Sequence, residues 1–186
     1  MHNHLIWILI LLYILNRAVG WWIIVYSKSI GWIGSIVVLL TAVVIIGLPI
    51  APQPRLYSLG SSGFIAGVSI GIFLFTNGLI FMIRGDKEFH KSGTRPDNIP
   101  TKLVTTGIYS VVRHPQYIGL NICFIGWSLV WSAIYCFYLI PMIIFLNWLQ
   151  AFLEEKYMLK KIFGDKYAQY KKEVGMFFPH LRKSHK

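Results

Sequence analysis

Long apolar runs separated by brief polar punctuation fill the first 83 residues, and the pattern returns between residues 117 and 153. A helix needs about 20 consecutive apolar residues to cross the hydrocarbon core of a bilayer. Runs at residues 5–26, 30–50, 61–83, 117–131 and 133–153 meet or approach that length. They predict an all-α integral membrane protein of about five transmembrane helices. The last two runs are joined by almost nothing, so Ser132 marks the tip of a tight C-terminal helical hairpin. Pro141 lies inside the second arm, where proline removes one backbone hydrogen bond and favours a kink.

The remainder alternates differently. Residues 84–106 are polar and punctuated by Gly and Pro, which reads as a cytosolic loop or short surface helix. From Glu154 to Val174, Leu159, Ile162, Phe163, Tyr167, Tyr170 and Val174 recur at three- and four-residue steps between lysines. That spacing predicts an amphipathic cytosolic tail helix, lying on the bilayer or folded back over a site, with Gly164 its weak point. Phe177, Phe178 and Pro179 end it with an apolar anchor. Gly63, Gly67 and Gly71 repeat every fourth residue and predict close helix approach, more by internal packing than at a dimer face.

Composition agrees with membrane embedding: 55% of residues are hydrophobic and mean hydropathy is +0.58, too apolar for an ordinary soluble domain. The formal charge of +11 raises nucleic-acid binding, but the basic residues form no groove-reading face. Three precede Arg84, six lie from Arg84 to Arg113 and nine follow Leu153. The positive-inside rule puts both of those later segments in the cytosol, so five spans place the N-terminus outside and the C-terminus inside. Attraction to anionic lipid accounts for the remaining charge. The N-terminus lacks a basic n-region and a cleavage site, so the first span is expected to be retained. Short loops suit a prokaryotic inner membrane. Cys123 and Cys136 fall in the apolar hairpin and carry no redox signal. All seven acidic residues follow position 83, dividing the chain into a packing region, residues 1–83, and a region holding nearly all ionisable groups, residues 84–186.

The candidate chemistry lies in that second region. Pro115 suits the first turn of the fourth span, where its missing N–H is harmless. Arg113 and His114 then stand at a helix N-terminus whose unpaired N–H groups and dipole favour a carboxylate or phosphate. An interfacial anchoring role fits them equally well. Glu154 and Glu155 directly follow the fifth span, where a carboxylate calls for a cationic partner, and adjacent helical residues do not both face one pocket. With Tyr109 and Tyr117 as aromatic walls, the set describes a pocket for a zwitterionic aromatic ligand.

Lys102 to Tyr109, then Arg113-His114-Pro115-Gln116-Tyr117 with Gly119, then Glu154-Glu155, then Phe163-Gly164 with Tyr167 and Tyr170, resemble the isoprenylcysteine carboxyl methyltransferase and phospholipid methyltransferase superfamily. The resemblance covers roughly the C-terminal half, residues 94–179. It implies an integral membrane enzyme that takes S-adenosylmethionine (SAM) from the cytosol and methylates an amphiphilic or small acceptor reaching it from the lipid bilayer. By motif position, Thr101, Lys102, Leu103, Val104, Gly107 and Tyr109 border the cofactor. His114, Pro115, Gln116 and Tyr117 line its amino-acid end, and Glu155 meets a polar or cationic group. Arg113, His114 and Glu155 form the implied catalytic set, with Arg113 alternatively holding the loop.

One departure concerns the acceptor: Ala151 stands where the isoprenylcysteine enzymes have a substrate arginine. Arg17, near the middle of the first span with no acidic residue before Asp86, is a candidate replacement, because charge at that depth is costly without a role. Snorkelling is the plainer reading. Competing functions are an NADPH-dependent reductase of the sterol reductase type, for which the chain has few spans, and a non-enzymatic membrane assembly factor.

Overall fold

The computed structural model describes residues 4–26, 31–91, 93 and 102–180. Its helices are α1 (His4–Tyr26), α2 (Gly31–Ile50), α3 (Ser62–Lys91), α4 (Pro115–Val130), α5 (Ile134–Leu153) and α6 (Lys160–Glu173). A short 3-10 turn, Gly107–Ser110, precedes α4, and a π-helical turn, Glu154–Leu159, joins α5 to α6. No β-strand occurs among the described residues, only two isolated bridges. By length and composition three helical stretches can cross a membrane, at His4–Ile23, Ser62–Lys91 and from Ile134 onward, and α2 contributes a shorter apolar stretch. Large apolar side chains such as Trp7, Leu11, Val38, Ile65 and Phe73 face outward, as lipid-facing surfaces require.

The interior is assembled from α1, α2, α4 and α5 around Ile6, Tyr13, Val44, Leu48, Phe124 and Ile143. Polar stitches cross it: Tyr13 donates to Asn147 Oδ1 at 3.2 Å, and Asn147 Nδ2 donates to Asn121 Oδ1 at 2.6 Å. Helix α3 packs on α4 with a glycine at each of two close crossings. A Cβ on Gly126 would lie 2.5 Å from Phe75 N and one on Gly78 would lie 2.6 Å from Cys123 Sγ, so only backbone-thin residues permit this approach. Of the predicted glycine series, Gly71 meets the Gly126 carbonyl, whereas Gly63 and Gly67 seat the Tyr57 ring.

Ser132 turns the hairpin with φ of 53°. The segment before α3 caps that end, with Leu56 N donating to Ser132 O at 2.7 Å and Tyr57 N to Ser132 Oγ at 2.8 Å. Helix α5 runs unbroken through Pro141. Two expectations are corrected. Helix α3 continues past Ile83 to Lys91, so the first part of the stretch read as a loop or a separate short surface helix is the end of α3; paired charges, Lys91 with Glu88 at 2.7 Å and His90 with Asp86 at 3.4 Å, support the polar extension. The tail is not one continuous amphipathic helix, because Gly164 (φ 53°, ψ −127°) breaks it and leaves Ile162 exposed.

Candidate active site

Beyond Gly164 the chain reverses towards the loop before α4. Val112 and Gly175 form a parallel bridge, Arg113 N donates to Gly175 O at 2.9 Å, and His114 N donates to Met176 O at 3.2 Å. Tyr167, Tyr170 and Val174 are buried there against Leu103, Leu159 and Phe163. The Tyr170 hydroxyl donates to Tyr109 O at 2.6 Å. The tail therefore folds back over the loop instead of lying apart from it.

Arg113 is the clasp. Its Nε donates to Glu155 Oε1 at 2.8 Å, while Nη1 donates to the carbonyls of Lys171, at 3.2 Å, and Val174. Glu155, 2% exposed, also meets His114 Nε2 at 3.2 Å and Lys171 Nζ at 2.9 Å. Burial opposes ionisation of Glu155, but hydrogen bonds from His114, Arg113 and Lys171 outweigh it and hold the carboxyl well below the usual carboxylate range. Three donor groups thus converge on one carboxylate, which accounts for a buried charge at this position.

Beside this cluster lies a cavity of about 850 Å³, near the upper end of the ~300–1,000 Å³ typical of small-molecule sites. His114 caps α4 with Pro115 at its first helical position, as the sequence predicted. Both line the cavity, together with Arg113, Gln116 and Tyr117. Leu103, Val104 and Tyr109 line another part of the wall. Lys102, Gly107 and Glu155 do not border it, and Thr101 lies outside the described residues. Gly107, with φ of 58°, instead approaches Glu88, whose carboxyl carbon would lie 2.7 Å from an added Cβ.

Of the two adjacent glutamates, the one that borders the cavity is Glu154. Its Oε1 accepts from the Tyr117 hydroxyl at 2.5 Å and from Gln150 Nε2 at 3.3 Å, and its Oε2 lies 3.9 Å from His114 Nδ1. Asp86 and His90, from the extended end of α3, join the lining, as do the tail aromatics Phe163, Tyr167 and Tyr170. The polar helical extension of α3 gave no apolar periodicity to follow, so these two residues were missed; the tail aromatics were visible in their helical spacing. Burial pushes the Tyr109 hydroxyl pKa upward, with the nearby Glu154 and Asp86 charges adding to it, so this wall stays neutral and hydrogen-bonding. Arg17, from α1, reaches the same cavity and is buried. No cluster of metal-binding side chains occurs among the described residues.

These features define a class: a helical membrane protein with a cavity where the Glu154 and Asp86 carboxylates, a helix N-terminus and aromatic walls converge. A sequence model of phospholipid methyltransferases matches residues 66–166, more than half of the chain, and the chain belongs to the phospholipid methyltransferase family. It is similar to a protein-S-isoprenylcysteine O-methyltransferase of Schizosaccharomyces pombe, 31% identical over 98 residues, covering 53% of this chain and 42% of that protein. It is also similar to methanethiol S-methyltransferases. That of Pseudomonas deceptionensis is 39% identical over 77 residues, 41% of this chain and 28% of the relative. That of Crocosphaera subtropica is 30% identical over 127 residues, 68% of this chain and 47% of the relative. The aligned part spans less than half the length of each of these relatives. No solved structure matches the chain.

Proposed function

We propose that this chain is a membrane methyltransferase that uses SAM and acts on an amphiphilic or small acceptor. The observation carrying this reading is the convergence of the Arg113-His114-Pro115 turn, Glu154 and the tail aromatics on one cavity. The donor set suits SAM. The N–H groups opening α4 and the His114 ring favour its carboxylate, Glu154 favours its cationic amino-acid end, and Tyr109, Phe163, Tyr167 and Tyr170 offer flat surfaces for its adenine. SAM supplies a methyl group activated on a positively charged sulfur. The chain's share of the work is to hold that group and the acceptor in line in a pocket with little water. Glu155 acts from behind as a positioning residue, fixing Arg113 and His114. The domain division follows: residues 84–186 supply most of the lining, while α1 and α2 add residues that include Arg17 and Thr41.

The same reading has five spans, with the N-terminus outside and the cofactor end of the molecule in the cytosol, because Arg84, Lys87, Lys91 and the tail lysines gather at that end. The deciding experiment is calorimetric titration of the detergent-purified protein with SAM, with NADPH as comparator. Saturable SAM binding in the wild type, weakened about ten- to hundredfold in a Glu154→Gln protein of wild-type melting temperature and in a folded His114→Ala protein, supports the proposal. A folded wild-type sample that binds NADPH, or neither ligand, refutes it.

A further inference from the structure

A second hollow, of about 680 Å³, is walled by the same loop from which Tyr109, Arg113 and His114 reach the cavity. Gly107, Ile108, Val111 and Val112 line it instead, with Ile118 from the first turn of α4 and Phe177 and Pro179 from the tail. The end of α3 completes it. Phe81, Arg84, Glu88 and Lys91 follow one another at three- and four-residue steps, so one face of that helix lines the groove, with Lys87 beside it. The face changes character along its length. Phe81 lies next to Ile80 and Ile83, which are exposed as lipid-facing residues are, whereas the following turns carry the cations. Glu88 is the one carboxylate in the lining, and it is engaged, accepting from Lys91 Nζ at 2.7 Å and from Thr106 Oγ1 at 3.2 Å. Among the described residues no carboxylate comes within ion-pair distance of Arg84 or Lys87. Two cations without a carboxylate partner thus stand above an apolar slot at the end of a membrane span.

We infer that this groove seats an acidic phospholipid of the surrounding leaflet, with its phosphate on Arg84 and Lys87 and an acyl chain along Phe81, Ile118 and Val111, and that the seated lipid braces the active-site loop. General attraction of a basic surface to an anionic membrane needs no groove and involves every lysine alike. The apolar slot beneath the charges is what selects a lipid over a free phosphate. The lipid is an effector and not the methyl acceptor, because His114, Glu154 and the tail tyrosines do not border the groove. Its influence passes through the loop and the tail that meet there. Phe177, against which the lipid packs, meets the His114 ring edge-on at 6.3 Å between centroids. Val112 bridges to Gly175, and Arg113 N donates to Gly175 O, so the groove wall and the cofactor side share one backbone junction. Holding that junction closed tightens SAM, and by reciprocity SAM tightens the lipid. This bracing role rests on the methyltransferase reading above; the lipid seat does not.

The test places the full-length protein in lipid nanodiscs of phosphatidylcholine, with or without phosphatidylglycerol. Lipid retained on ejection from the discs is identified by native mass spectrometry, and SAM affinity is measured by calorimetry. Wild type is compared with Arg84→Gln and with Lys160→Gln, which removes an equal charge from an exposed position outside the groove. The expected result is that wild type retains phosphatidylglycerol in preference to phosphatidylcholine and binds SAM at least about fivefold more tightly in the acidic discs, the lower end of ordinary coupling between sites. Arg84→Gln loses most of both effects and Lys160→Gln keeps both, while all three proteins bind SAM alike in phosphatidylcholine alone. Equal retention of the two lipids by wild type, or an equal loss in Lys160→Gln, overturns the inference. So does glycerol 3-phosphate tightening SAM in neutral discs as strongly as the acidic lipid does. Selective retention of phosphatidylglycerol with unchanged SAM affinity overturns the bracing role. Absence of SAM binding in every disc refutes instead the methyltransferase reading, and lipid retention still decides the groove.

Discussion

At the residue scale, two adjacent carboxylates divide the labour of holding the site. Glu155 is buried among Arg113, His114 and Lys171, and removing one partner of such a set costs about 3–5 kcal/mol. Glu155→Gln should therefore lower the melting temperature markedly, whereas Glu154→Gln should melt close to wild type yet weaken SAM about ten- to hundredfold, the value of ~1.5–3 kcal/mol for a hydrogen bond to a charged group. Thermal melts of the purified proteins, paired with calorimetry, separate the two. The pH dependence has a definite sign. Because the folded pKa of Glu155 is depressed, its contribution is complete above the unfolded pKa of about 4.3 and fades as pH falls through the folded value. The deficit of Glu155→Gln should hold constant from neutrality to about pH 5 and shrink only below about pH 4. Sequence reasoning singled out both glutamates and expected at most one of them to face a shared pocket, but assigned the ligand side to Glu155. Which of two neighbours faces the cavity depends on the π-helical turn that begins there, and no side-chain periodicity announces such a turn.

At the element scale, the α3–α4 contact and the Gly164 break make opposite demands on glycine. Gly126→Val would drive side-chain atoms into the α3 backbone and should destabilise the protein by at least about 2 kcal/mol, read as reduced melting temperature and yield. Gly164 has open space around an added Cβ, so Gly164→Ala costs only backbone strain of about 1–3 kcal/mol. Its effect should appear as faster hydrogen exchange across 165–177, with exchange in α3 and α4 unchanged. The helices themselves were legible in the sequence: unbroken apolar runs, Pro115 at a helix start and Ser132 at a hairpin tip leave few alternatives. The end of α3 was not. Arg84 to Lys91 carries charges that hold a helix by pairing along its surface, and a pattern of charge without apolar repeats is also what a loop looks like.

At the scale of the whole molecule, the tail is as much a part of the site as the membrane helices are. A chain ending after Leu159 would leave Arg113 without the Lys171 and Val174 carbonyls and the cavity without Tyr167 and Tyr170. Such a protein should insert into membranes but show no SAM binding by calorimetry, and supplying the tail as a separate peptide should restore little. The return of the tail was left open by sequence, because an amphipathic face does not say whether lipid or protein covers it. What aims the tail is the π-helical turn from Glu154 to Leu159, which carries α5 into α6 without a loop. In an ordinary helix each residue advances the chain by about 100°. Deleting one residue there would swing everything downstream around the axis of α5 by about that angle. The protein would then keep every side chain of its site and still lose the site, so a single-residue gap in this turn should be less tolerable than almost any substitution beside it.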